Sequence, residues 1–175
     1  VIALASLGIF ILIYFVPWRW ERIISFMDPW TNQLEGGYQL TLSLMAIGRG
    51  GWFGVGLGEG LMKLGYLPDA HTDFIFSVVV EEMGLFTGII IVAVLFCLSF
   101  RCFFIAKQAL DRNLHFAFFL SYGVSILIGL HTFINVGVAT GLLPTKGLTL
   151  PFISYGGTNL IIMCALCALV LRVDY

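Results

Sequence analysis

The sequence predicts an all-α, polytopic integral membrane protein with about four transmembrane helices in this stretch. Three observations carry that prediction: 59% of the 175 residues are hydrophobic, only 11% are charged, and the mean hydropathy is +1.00. Soluble domains carry about 25% charged residues. No single core of this size could hide so much apolar surface from water, so the solvent of this chain is lipid. The formal net charge of −1 leaves no basic stripe to neutralise phosphates, which excludes a nucleic-acid partner.

A helix needs about 20 apolar residues to cross about 30 Å of hydrocarbon. Four runs meet or approach that length: residues 1–17, 74–100, 116–138 and 159–171. The second is interrupted only by Glu81 and Glu82, the third contains His131 and Asn135, and the fourth is short at its start. Val1 opens inside an apolar run without a Met, which reads as a segment of a longer chain. Cys97, Cys102, Cys164 and Cys167 all lie in or beside apolar stretches. The Cys164–Cys167 pair has a C-x-x-C spacing but no His or acid nearby, so it reads as small apolar packing.

The connections hold the chemistry-bearing residues. Residues 18–72 mix charges with glycines and aromatics, and Trp18, Trp20 and Trp30 suit a membrane–water boundary. Within them, residues 38–48 are too few to span and read as a short interfacial or re-entrant helix. The glycines that follow, from Gly50 to Gly60, mark tight turns. A flanking strand and a Gly-Lys-Ser/Thr ending are lacking, so this is not a nucleotide loop. Residues 101–113 read as a short basic linker, and residues 141–157 as a second Gly/Pro-rich loop around Lys146. Four crossings place the linker and the C-terminus on one side and the two Gly-rich loops on the other. The charge density of the linker favours the cytoplasm for its side.

Six side chains stand out as candidates. Glu81 and Glu82 are costly at membrane depth unless they face a cavity or are paired with helices outside this stretch. Asp73 follows Pro68 at the mouth of the second span; it or Thr72 could cap the first helical turn, or its carboxylate could accept a proton. His71 could orient a substrate or sit blandly at the interface. Lys146, the one cation of its loop, could meet lipid headgroups or neutralise a diphosphate. Arg49 faces the same choice, or pairs with Glu35 or Glu59.

These residues sit in recognisable strings. SFMDPW (25–30), GYQL (37–40), AIGRGGWFGVGLG (46–58), KLGYLPDAHTDFIF (63–76) and EEMG (81–84) resemble the SEDS family. GLLPTKGLTLPFISYGG (141–157) and the closing LRVDY resemble its FtsW branch, the cell-division members, more than the RodA branch. The resemblance implies a ten-helix fold of which this stretch is the last four spans, with residues 18–72 and 141–157 as periplasmic loops. It implies a multi-pass protein of the bacterial inner membrane, at the division septum, that polymerises lipid II into glycan strands. Its partners would be a class B penicillin-binding protein transpeptidase and other division-complex membrane proteins. The family's essential acid falls on Asp73, with Arg49, His71, Thr72 and Lys146 as candidate substrate contacts. No cofactor is implied with certainty; a divalent cation, Mg or Mn, is a candidate helper. Asp69 stands where many relatives have Glu, and Thr158 where many have Ser. Two other readings stay open on these residues: a lipid II flippase, and a noncatalytic scaffold for the transpeptidase.

Overall fold

The computed structural model describes residues 26, 28–30, 37–65 and 67–174. The first expected span, residues 1–17, lies outside them. Four α-helices are described: α1 (Tyr38–Gly50), α2 (Ile75–Asp111), α3 (His115–Ala139) and α4 (Gly157–Asp174). A single 3₁₀ turn, Met62–Leu64, lies between α1 and α2. Among the described residues, α2, α3 and α4 are long and apolar enough to cross a membrane. The short helix foreseen at residues 38–48 is α1.

The basic linker is the main departure from expectation. Residues 101–111 continue α2 without interruption, and the chain turns only at Arg112 and Asn113. Ala106, Lys107, Gln108, Ala109 and Leu110 are strong helix formers, so the helix outlasts the apolar run. Asn113 makes the turn with φ 60°, a conformation that asparagine tolerates well. Arg101 bonds Asp174 at 3.0 Å, tying this end of α2 to α4.

Packing follows the apolar pattern. Cys102 and Ile105 of α2, Val124 and Ile128 of α3, and Met163 and Val170 of α4 form one buried cluster. Outward-facing residues such as Phe100, Phe119 and Ile161 stay exposed, as lipid-facing side chains must. A second junction is polar. The hydroxyl of Ser43 on α1 bonds that of Ser77 on α2, and donates to the carbonyl of Ala139 at the end of α3 at 2.7 Å. Both serines are fully buried. In a low-dielectric setting such satisfied contacts fix register, because sliding either helix would leave a hydroxyl unpaired.

Helix α2 is broken. Gly84 has φ 86° and ψ 163°, which interrupts the helix between Ile75 and Asp111. Unpaired backbone groups are expensive near lipid, and non-helical backbone survives there only when protein supplies partners. The glycine-rich segment after α1 supplies them. Val55 and Gly56 donate to the carbonyls of Glu81 and Glu82, while Leu85 and Phe86 donate to those of Gly51 and Trp52. The approach is so close that a Cβ on Gly84 would lie 2.3 Å from the Trp52 carbonyl, and one on Gly54 2.2 Å from that of Glu82.

The same segment resolves the two membrane-run acids. Glu81 is fully buried and accepts from the amides of Leu61 at 3.1 Å and Met62 at 3.2 Å. Arg49 reaches it at 3.4 Å. Glu82 pairs with Lys63 at 2.6 Å and accepts from Gly58 at 3.1 Å. Both acids are thus satisfied within this stretch, rather than by helices outside it, and Arg49 pairs with Glu81.

Gly84→Ala in the full-length protein is expected to lower the thermal midpoint in detergent, since a positive φ alone costs a residue with a side chain about 1–2 kcal/mol and the clash adds to it. Gly123→Ala, at a helical glycine with open space around it, is expected to leave the midpoint unchanged or slightly raised. Equal midpoints for the two variants would contradict the interleaved break.

Candidate active site

Residues 69–74 form a compact turn built around one carbonyl. Asp69 adopts φ 55°, and its carbonyl accepts the amides of Thr72, Asp73 and Phe74 and the Thr72 hydroxyl. Helix α2 then starts with Phe74 in the N-cap position and no side-chain cap. Neither Thr72 nor Asp73 caps the helix, so the capping alternative does not apply. Among the described residues no hydrogen bond or ion pair engages the Asp73 carboxylate.

The turn is pinned from outside at three successive carbonyls. His71 accepts the amide of Tyr155 at 2.9 Å, Thr72 accepts the Ser154 hydroxyl at 2.6 Å, and Asp73 accepts Nδ2 of Asn135 at 2.8 Å. Asn135 is buried on α3, and its Nδ2 also donates to the Leu148 carbonyl at 2.6 Å. Ser154 accepts the Leu150 amide at 2.7 Å, which tightens the second loop on itself.

These contacts bring Asp73 and Lys146 into the lining of one pocket of about 200 Å³. Gln39, Asp69, Phe74, Thr145 and Gly147 complete its wall. Gln39 lies one helical turn before Ser43, whose hydroxyl bonds Ser77 of α2. Gly147 lies against the acid: a Cβ there would come 3.0 Å from Asp73 Oδ2. Partial burial, and then the negative charge of Asp69, raise the Asp73 carboxyl above the ordinary aspartate range. Lys146 is exposed, and among the described residues it forms no ion pair with Asp73.

The other candidates are placed differently. Arg49 is occupied by Glu81 and does not line the pocket. His71 is exposed and Thr72 half-buried; neither lines the pocket, and both hold the turn through their backbone carbonyls. Gln39, Asn135 and Ser154 were not singled out as site residues from the sequence. A lone Gln, Asn or Ser carries no spacing signal, and the partners of Asn135 and Ser154 lie as far as 62 and 82 residues away. Among the described residues no group of three or more His, Cys, Asp or Glu side chains is placed to hold a metal ion.

Comparison with known proteins gives one consistent result. A family model for FtsW/RodA/SpoVE, described as "Cell cycle protein", matches residues 1–175. A protein of Saccharophagus degradans named "Probable peptidoglycan glycosyltransferase FtsW" is 51% identical over 158 residues, covering 90% of this chain and 41% of that protein. A protein of the same name from Aliivibrio salmonicida is 47% identical over 177 residues, covering 99% of this chain and 44% of that one. A solved structure described as "Structural coordination of polymerization and crosslinking by a peptidoglycan synthase complex" superposes with a TM-score of 0.72 at 31% identity. It covers 99% of this chain and 47% of the solved one. The chain therefore spans less than half the length of these proteins. Matched from end to end by the family model, with the apolar helices and loop strings in place, this chain belongs to the FtsW/RodA/SpoVE family of cell cycle proteins.

Proposed function

We propose that the full protein is a peptidoglycan glycosyltransferase that polymerises lipid II during septal wall synthesis, with Asp73 as its general base. The observation that carries this reading is the unpaired Asp73 carboxylate in a pocket that Lys146 also lines, with no ion pair between them among the described residues. Two opposite charges left apart around a void suit a substrate that offers a hydroxyl to one and a diphosphate to the other. The names of the relatives support the same activity.

The acceptor sugar's 4-hydroxyl oxygen attacks the anomeric carbon of the donor glycan, and its proton passes to Asp73. The bond from that carbon to the polyprenyl diphosphate oxygen breaks, with inversion, and the electron pair leaves on the diphosphate. Lys146 stabilises that departing charge as a point cation. The electrostatic role falls to Lys146 rather than Arg49, because Glu81 already holds the guanidinium outside the pocket wall. Asp69 would be the carboxylate on the wall left to hold a Mg or Mn ion, which would supply further positive charge beside the diphosphate.

The inner membrane and the septum are the proposed location, with both Gly-rich loops on the periplasmic face. The proposed partner is a crosslinking enzyme, the class B penicillin-binding protein transpeptidase, supported by the solved complex, which couples polymerization to crosslinking.

In the full-length protein with its partner, Asp73→Asn should lower polymerisation of lipid II by about 10²–10⁴-fold while insertion and partner binding persist. Near-normal polymerisation would remove the base. Flipping of lipid II in vesicles without polymerisation would favour a flippase, and indifference to Asp73→Asn with intact assembly a scaffold. Lys146→Met should reduce turnover by about a hundredfold at unchanged thermal stability; unchanged turnover would leave Lys146 with headgroup contact alone.

The base works only when ionised, so the rate falls as pH drops through its pKa. Because burial and Asp69 raise that pKa, the acid limb of kcat/KM should lie above the value of about 3.9 for an ordinary aspartate. Asp69→Asn removes one of the two causes and should move the limb to lower pH. An acid limb indifferent to Asp69→Asn would detach the profile from Asp73.

A further inference from the structure

Asn135 is a neutral residue deep in a lipid-facing helix, and its amide uses both hydrogens on two separate loops. One goes to the Asp73 carbonyl at 2.8 Å and the other to the Leu148 carbonyl at 2.6 Å, two residues beyond Lys146. Two facing acceptors fix which end of the amide is nitrogen. Its Oδ1 then lies buried with no hydrogen-bond partner. A side chain that leaves one atom unsatisfied to hold two carbonyls is poorly explained by packing alone, which an apolar side chain would serve.

We propose that Asn135 is a positioning residue that fixes the distance between Asp73 and Lys146, with the Ser154 hydroxyl as its auxiliary on the Thr72 carbonyl. The inference rests on reading Asp73 as the base and goes beyond it in assigning the register of the site to α3. The geometry is economical. Because a single planar amide grips both loops, a change at α3 moves the acid and the cation together rather than one against the other. Ser154 accepts the Leu150 amide while donating to Thr72, so the Lys146 loop is coupled to the acid's turn a second time. Close contact leaves little slack: Gly147 already sits within van der Waals reach of the Asp73 carboxylate. Misplacement of a reacting group by about 1 Å can lower a rate about a hundredfold without touching substrate affinity.

The test measures kcat and KM for lipid II polymerisation by the full-length protein with its partner. Asn135→Leu keeps the number of side-chain heavy atoms and removes both donors. It should lower kcat about tenfold or more and leave KM within about threefold. Ser154→Ala, in a loop where insertion is not at stake, should act in the same direction more weakly. Thr132→Val serves as the comparison: its hydroxyl is buried but bonds only within α3, to Ile128, so it should cost stability and leave kcat intact. An Asn135→Leu protein with normal kcat, or an equal kcat loss in Thr132→Val, overturns the proposal. Where Asn135→Leu does not fold, a normal kcat in Ser154→Ala overturns it. Asp73→Asn separates the two levels: if that variant still polymerises, the function reading fails. If it does not and the Asn135 and Ser154 variants are normal, only the positioning role fails.

Discussion

The arrangement depends on one constraint: backbone polar groups beside lipid must find partners inside the protein. Regular helix meets it without help. This chain leaves regular helix at two places that matter, the Gly84 break and the turn around Asp69, and at both it satisfies the exposed groups with a segment distant in sequence. At Gly84 the partner is the glycine-rich segment after α1, which exchanges backbone hydrogen bonds with both sides of the break. At the Asp69 turn it is the loop between α3 and α4, together with one side chain of α3. Irregularity in one element is thus answered by irregularity in another.

The two repairs have different chemical outcomes. Around Gly84 every charged group finds a counterpart: Glu81 and Glu82 are closed off by Arg49, Lys63 and the amides of the loop. This is a structural clasp whose charges are spent. Around Asp69 the backbone is satisfied just as fully, yet Asp73 and Lys146 line one pocket without forming an ion pair. A side chain whose neighbours' needs are met by backbone contacts can remain available for chemistry, and its raised proton affinity follows from partial burial beside Asp69.

Much of this was legible in the sequence and some was not, for definite reasons. Apolar run length located α2, α3 and α4, because hydropathy reports where lipid is. It did not report where α2 ends, since the charges at Arg101, Lys107 and Asp111 read as a linker while the segment is strongly helical. Lys146 was visible as the one cation of a Gly/Pro-rich loop and Asp73 as a carboxylate at the mouth of a span, and both line one pocket. Arg49 looked equally available, and its pairing with Glu81 depends on a glycine-rich path that no periodicity encodes. Asn135 and Ser154 were opaque for the same reason, since each acts through a long-range contact, and Gln39 is known only by the pocket it lines.

The two repairs also differ in when they can form. The clasp joins residues separated by only 19 to 32 positions, so it can close while the chain is still being synthesised, before α3 exists. The turn that carries Asp73 is gripped across 62 and 82 positions, and waits for the connection to α4. A nascent chain would therefore hold a finished clasp and an unaligned acid until the loop before α4 emerges, so that assembly itself delays the chemistry.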